Sequence, residues 1–181
     1  MAKVYLFLAN GVEEIEALTV VDILRRGGVE VETVSITGKH EILGAHDIKI
    51  GADSLFDADK LTDADMLVLP GGGRGTNALM AHEELRELLF AYRDADKYLA
   101  AICAAPSVLG MNGLLKEHRA TCFPGFEDKL LGAVLVKEPV VKDGNIITAK
   151  GMGVSIPFAL TLLAIFDEET SKKVAKQIQF A

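Results

Sequence analysis

The chain has 181 residues, enough for one domain with a sizeable core. Its composition, 50% hydrophobic and 25% charged, is that of a folded globular protein. A net charge of −7 with no run of lysines or arginines argues against a nucleic-acid partner and against docking on an acidic membrane surface.

The longest apolar stretch, 156–166, is too short to span a bilayer and contains Thr161. The N-terminus runs straight into a strand-like segment, Val4-Tyr5-Leu6-Phe7-Leu8, without the longer apolar region and cleavage site of a signal peptide. Two cysteines 19 positions apart do not make a disulfide scaffold. These features predict a reducing, cytoplasmic setting in which a thiol persists.

Strands and helices are predicted to alternate. Val4 to Leu8 reads as an apolar strand broken by Gly11. A helical period follows from Glu14 to Arg26, with Ala17, Val20, Val21 and Leu24 on one face and Gly27-Gly28 at its end. Strands are predicted over 29–36, in short pieces over 42–50, and over 66–69, where Pro70-Gly71-Gly72-Gly73 closes the run. A helix over 83–95 precedes the strand 98–102 and a further helix that ends near Gly113. Short strands are expected near 120–122, 134–136, 140–141 and 146–148. A buried helix over 151–166 and a terminal helix over 167–179, acids first and lysines later, complete the chain. The pattern implies an α/β fold in which helices cover both faces of a mostly parallel sheet. Ligands in such sheets bind beyond the carboxyl ends of the strands.

Cys103 is the most informative residue. It follows the buried run Tyr98-Leu99-Ala100-Ala101-Ile102 and precedes Pro106, which suits the first turn of a helix. It therefore lies on a sharp strand-to-helix turn, with the small residues Ala101 and Ala105 two positions before and after, where hydrolases more often carry glycine. Unpaired N–H groups and the helix dipole there are expected to favour a thiolate. Without that context a core cysteine is the plainer reading, and it is the reading given to Cys122 in its predicted strand.

Glu16 falls on the shoulder of the apolar face of its helix, beside Val20 and Ile23, where partial desolvation should raise its pKa. A carboxyl titrating near neutrality suits general acid–base work, although spacing alone leaves Glu13 open as the alternative. The Pro70–Gly73 loop offers N–H groups that could face Cys103 and, with that of Ala104, stabilise an oxyanion. Gly73-Arg74-Gly75-Thr76-Asn77-Ala78 matches a dinucleotide-binding pattern only weakly, since the next strand ends without an acid to hold a ribose. The histidines at 40, 46, 82 and 118 show no metal-ligand spacing, so no metal is expected.

Four segments together resemble the DJ-1/PfpI (ThiJ) superfamily, in its DJ-1-like branch. They are Leu8-Ala9-Asn10-Gly11-Val12-Glu13-Glu14-Ile15-Glu16, Val68-Leu69-Pro70-Gly71-Gly72-Gly73, Ala100-Ala101-Ile102-Cys103-Ala104-Ala105-Pro106 and Thr148-Ala149-Lys150-Gly151-Met152-Gly153. The resemblance runs from about Lys3 to Gln179 and implies one flavodoxin-like domain, a three-layer sandwich, over 1–181, usually as a homodimer. It implies that Cys103 is the reactive cysteine, Glu16 rather than Glu13 its protonated partner, and Gly72 and Ala104 the backbone donors beside the sulfur. Arg25, Arg26 and His46 are candidates for the dimer interface.

The chain departs from the family at one place. Where many members carry a histidine in the segment Thr121-Cys122-Phe123-Pro124-Gly125, this one has Phe123, which can neither move a proton nor hydrogen-bond a thiolate. A Cys-His dyad for peptide hydrolysis therefore lacks its base unless a histidine such as His46 arrives from elsewhere. The resemblance implies cofactor-free chemistry on small dicarbonyls such as methylglyoxal, giving lactate, or on glycated protein groups. The alternative is a redox-sensing stress protein or chaperone governed by oxidation of Cys103. Thiazole biosynthesis rests on a family label alone.

Overall fold

In the computed structural model, which describes residues 1–180, strands and helices alternate along the chain. The first half holds β1 (Lys3–Leu8), α1 (Glu14–Arg26), β2 (Glu30–Ser35), β3 (Glu41–Leu43), β4 (Lys49–Gly51), β5 (Ser54–Leu55), β6 (Met66–Leu69), α2 (Gly73–Ala81) and α3 (Glu83–Asp94). The second holds β7 (Tyr98–Ile102), α4 (Pro106–Met111), β8 (Arg119–Ala120), β9 (Val134–Leu135), β10 (Val140–Asp143), β11 (Ile146–Ala149), α5 (Ser155–Phe166) and α6 (Glu168–Gln177). Seven strands form the central sheet in the order β10-β11-β7-β6-β1-β2-β5. All neighbours pair in parallel except β10 with β11 at one edge. This is the flavodoxin-like three-layer sandwich.

The strands sort their side chains onto two faces because successive residues of a strand point opposite ways. Val4, Leu6 and Leu8 of β1, Met66 and Val68 of β6, and Ala100 and Ile102 of β7 pack beneath α1, α5 and α6. Tyr5 and Phe7, Leu67 and Leu69, and Leu99 and Ala101 pack beneath α2, α3 and α4. Burial on both faces explains why these strands read as continuous apolar runs. Helix α1 closes against α5 so tightly that a Cβ at Gly27 would overlap the Leu163 side chain.

Helices α2 and α4 depart from expectation. Periodicity does not announce α2, because glycines at 73 and 75 are poor helix formers; Gly75 is needed where the helix meets the loop after β1, for a Cβ there would stand 2.9 Å from the Val12 nitrogen. That packing use also accounts for the apparent dinucleotide motif. Helix α4 stops at Met111, short of Gly113, and has only 6 residues.

The chain runs from β1 to β2 on one side of the sheet and later returns to β6 on the other side of β1. The carboxyl ends of β1 and β6 therefore flank the crevice where connections diverge, the usual ligand position in such sheets. No described helix is long and apolar enough to cross a membrane.

Phe158 anchors the α1–α5 layer and is fully buried. Phe158→Ala should lower the unfolding free energy by about 3–5 kcal/mol in chemical denaturation, with the fold retained.

Candidate functional site

Three strand ends meet here: β1 leads into the turn before α1, β6 into Gly71-Gly72, and β7 into Cys103. Cys103 adopts φ +66, a left-handed conformation that costs an L-residue roughly 1–2 kcal/mol. Two backbone bonds hold it there. Its N–H donates to Ala149 O at 2.9 Å, and its carbonyl accepts the Phe123 N–H at 2.8 Å. Ala101 and Ala105 beside the turn are fully buried, so the small side chains are a packing requirement. The sulfur itself is half-buried.

Glu16 lies in the first turn of α1 and is completely buried. The Gly71 N–H donates to its Oε2 at 2.9 Å, while Oε1 has no hydrogen-bond partner. Gly71 is glycine because a Cβ at this position would stand 2.5 Å from Glu16 Oε2 and 2.6 Å from Cys103 Cβ. One hydrogen in place of a side chain thus lets acid and cysteine share the pocket. Gly72 has φ +90, and a Cβ on it would overlap the Gly11 carbonyl, so the loops after β1 and β6 can touch only without one.

Burial raises the Glu16 carboxyl to about 7, opposed by hydrogen bonding from Cys103 and from the Gly71 N–H. Burial likewise pushes the Cys103 thiol up to about 12, and the neighbouring Glu16 charge adds to it, while the N–H groups of Gly72 and Ala104 pull it down. The expectation of a thiol depressed by a helix dipole is therefore corrected. Ala104 and Ala105 lie outside α4, that helix is short, and desolvation outweighs what it offers. The two groups titrate as one unit that loses a first proton near pH 7 and a second near 12. Between those values the pair shares one proton and one negative charge: desolvation and the Glu16 charge disfavour the thiolate, and the N–H groups of Gly72 and Ala104 oppose them.

The four residues singled out from sequence, Cys103, Glu16, Gly72 and Ala104, thus lie together. Glu13 does not join them as an acid: its N–H donates to Gly71 O at 3.0 Å, and its charge reaches Glu16 only as repulsion. Gly71 and the Ala149 carbonyl are additions. The Pro70–Gly73 run pointed to backbone donors but not to the carboxylate one of them would hold.

Spacing along the chain also missed a cluster. The fold brings ligand atoms of Glu13, Glu14 and His46 within 4.8 Å of one another. Buried Glu14 accepts the His46 N–H at 2.7 Å and faces its Nδ1 at 2.9 Å. Burial alone would raise the Glu14 carboxyl, but His46 brings it below its ordinary value, and Glu14 in turn raises His46. The contacts tie the β3–β4 hairpin to the start of α1. His82 caps α3 by accepting the Leu85 N–H at 3.1 Å. Cys122 is buried, and burial lifts its thiol to about 11.

Phe123 stands beside the sulfur. A Cβ at Gly151 would lie 3.2 Å from Phe123 Cδ2 and 3.8 Å from Cys103 Sγ, so a single glycine separates ring from thiol. A groove of about 700 Å³ lies elsewhere, lined among others by Ile15, Leu18, Ile23, Ile48 and Ile156.

Comparison with known proteins agrees with this geometry. The family model described as the DJ-1/PfpI family matches residues 2–165. Protein dj-1beta of Drosophila melanogaster is 32% identical over 177 residues, which are 96% of this chain and 95% of that one. Protein DJ-1 homolog B of Arabidopsis thaliana is 36% identical over 160 residues, 88% of this chain but 36% of the plant protein, so the chain spans about a third of that relative. The structure of oxidized Toxoplasma gondii DJ-1 superposes with a TM-score of 0.95 at 32% identity, each chain covered in full.

Because Glu16 holds its proton more tightly folded than unfolded, its contribution to stability is complete below about pH 4.5 and is lost as pH rises through about 7. Glu16→Gln should remove that slope, on the order of 3 kcal/mol, in denaturation series across this window. Because the Glu16 charge holds the Cys103 thiol up, Glu16→Gln should bring the rise of Cys103 alkylation to lower pH than in wild type.

Proposed function

The chain belongs to the DJ-1/PfpI family, and within it we propose a cofactor-independent cysteine enzyme that converts small reactive dicarbonyls, methylglyoxal among them, to 2-hydroxy acids, or clears their adducts from protein groups. One observation carries this reading: a buried carboxyl that titrates near 7 lies against a half-buried cysteine held on a strained turn.

The chemistry follows from those groups. The Cys103 sulfur adds to the aldehyde carbon; a C–S bond forms, and the carbonyl electron pair moves to oxygen. That oxygen comes to lie beside the N–H groups of Gly72 and Ala104, and Glu16 supplies its proton. The Glu16 carboxylate then takes the hydrogen on the same carbon as a proton, giving an enediolate, and returns it to the adjacent carbon, while the proton of the first hydroxyl passes to the second oxygen. One carbon is oxidised as its neighbour is reduced, so no external oxidant is needed. Water cleaves the resulting thioester, releasing the 2-hydroxy acid and restoring the thiol. A positioned acid–base of this kind contributes about 10²–10⁴-fold.

Peptide hydrolysis is disfavoured because Phe123 supplies no base, and His46 is engaged by Glu14. A second reading, redox sensing in a stress-responsive protein or chaperone, is favoured by the same sulfur, since a Cys103 thiolate beside a carboxylic acid can stop at the sulfinic stage. The Toxoplasma gondii relative is described in its oxidized form.

We further propose that the protein works as a single domain in the cytoplasm and as a homodimer. The groove beside Ile15, Leu18, Ile48 and Ile156 presents contiguous apolar surface of the kind that marks interfaces.

Lactate formation from methylglyoxal decides between the readings. Cys103→Ala should abolish it, and Glu16→Gln should lower kcat at least a hundred-fold. Full turnover by Cys103→Ala overturns the assignment. A stable gain of two oxygens on Cys103 after mild peroxide, with no dicarbonyl turnover in wild type, favours sensing. For the dimer, Leu18→Glu should give monomers in analytical ultracentrifugation where wild type sediments as a pair.

A further inference from the structure

A cleft of about 310 Å³ is lined by Phe123, Pro124, Lys150, Gly151, Met152, Gly153 and Val154, and it adjoins the cysteine at Gly151, where a Cβ would lie 3.8 Å from Cys103 Sγ. Of these side chains only Lys150 carries a charge. Phe123 is 47% exposed and Met152 49%, so both large apolar side chains of this cleft reach solvent. A single exposed apolar side chain means little in a folded protein. These two, however, line one cleft, and Phe123 lies next to the sulfur. The Phe123 ring is separated from the sulfur by Gly151 alone, and its backbone N–H is tied to the Cys103 carbonyl at 2.8 Å. Met152 follows Gly151 directly and lines the same cleft. The Phe123 wall is therefore fixed relative to the sulfur by a main-chain contact, not by the packing of its own side chain.

We propose that Phe123, with Met152 in the same cleft, is a specificity-determining residue that selects carbonyl substrates bearing an apolar or aromatic group next to the reacting carbon. The ring offers a face for offset or edge-on stacking, worth a several-fold preference. Methionine is unbranched and polarisable, and it adapts to substituents of different shape. A histidine in place of Phe123 would offer hydrogen bonds to a small polar dicarbonyl; the phenyl ring offers none and instead excludes water from one side of the adduct. The order expected of this chain is thus phenylglyoxal ahead of methylglyoxal, and methylglyoxal ahead of glyoxal. The proposal deepens the dicarbonyl reading and rests on it for the identity of the substrates, but the wall is testable without turnover.

Two measurements separate the claims. In the first, Cys103 is alkylated with iodoacetamide and with iodoacetanilide, which carry the same reacting group without and with a phenyl ring. Wild type should favour the anilide by about ten-fold over the preference shown by a free thiol. Phe123→Ala should lose that excess, and Phe123→Tyr, which keeps the ring, should retain it. In the second, kcat/KM is compared for the three glyoxals. Phe123→Ala should flatten the order mainly through KM, because the sulfur and Glu16 are untouched. An anilide preference in wild type no greater than in Phe123→Ala overturns the wall even if dicarbonyls turn over. A preference that follows the ring while no dicarbonyl is consumed upholds the wall and removes the dicarbonyl reading.

Discussion

The closeness of three strand ends is the constraint on which the site depends. Acid and cysteine meet only because Gly71 places a hydrogen where any other residue would place a carbon between Glu16 Oε2 and Cys103 Cβ. The same short loop supplies the N–H that holds Glu16 and, one residue later, an N–H that faces the sulfur. The fold takes on two unfavourable terms to reach this arrangement: a buried carboxyl with one oxygen unpartnered, and a cysteine in the left-handed region. Both are local costs that a fully buried two-faced sheet can carry.

Much of this was readable in the sequence, for physical reasons. Strands buried on both faces leave continuous apolar runs, so β6 and β7 were found with the bounds 66–69 and 98–102. Helix α1 was found over 14–26 because its apolar face repeats and Gly27-Gly28 ends it. The turn at Cys103 showed in the change from a β run to a proline-led helix. The choice between Glu13 and Glu16 did not follow from the helical wheel alone; the family resemblance supplied it. Helix α2 was hidden because its glycines answer to close packing with another loop, which no local pattern records. The titration of Cys103 was misjudged for a related reason. A dipole can be inferred from local sequence, whereas desolvation and the charge of a residue 87 positions away are tertiary quantities.

The two acidic residues before Glu16 illustrate how neighbours in sequence take separate duties. Glu13 contributes its backbone to the loop contact, Glu14 clamps the β3–β4 hairpin through His46, and Glu16 turns inward to the sulfur. Three carboxylates within one helical turn would repel if they shared an environment. Burial and an imidazole partner divide Glu16 from Glu14: the first is pushed up towards neutrality and the second is held below its ordinary value.

The elements that build the site are far apart along the chain: Glu16 comes from α1, Gly71 and Cys103 from the turns after β6 and β7, and Ala149 from β11. Closing such distant segments is the slow and entropically costly part of forming a parallel sheet. No fragment short of the assembled sheet can therefore bring the acid to the sulfur. In an unfolded or half-built chain Cys103 is an ordinary thiol in water, and its distinctive ionisation appears only when the last of these strands has docked. The chemistry of one sulfur thus doubles as a gauge of whether the molecule has finished folding.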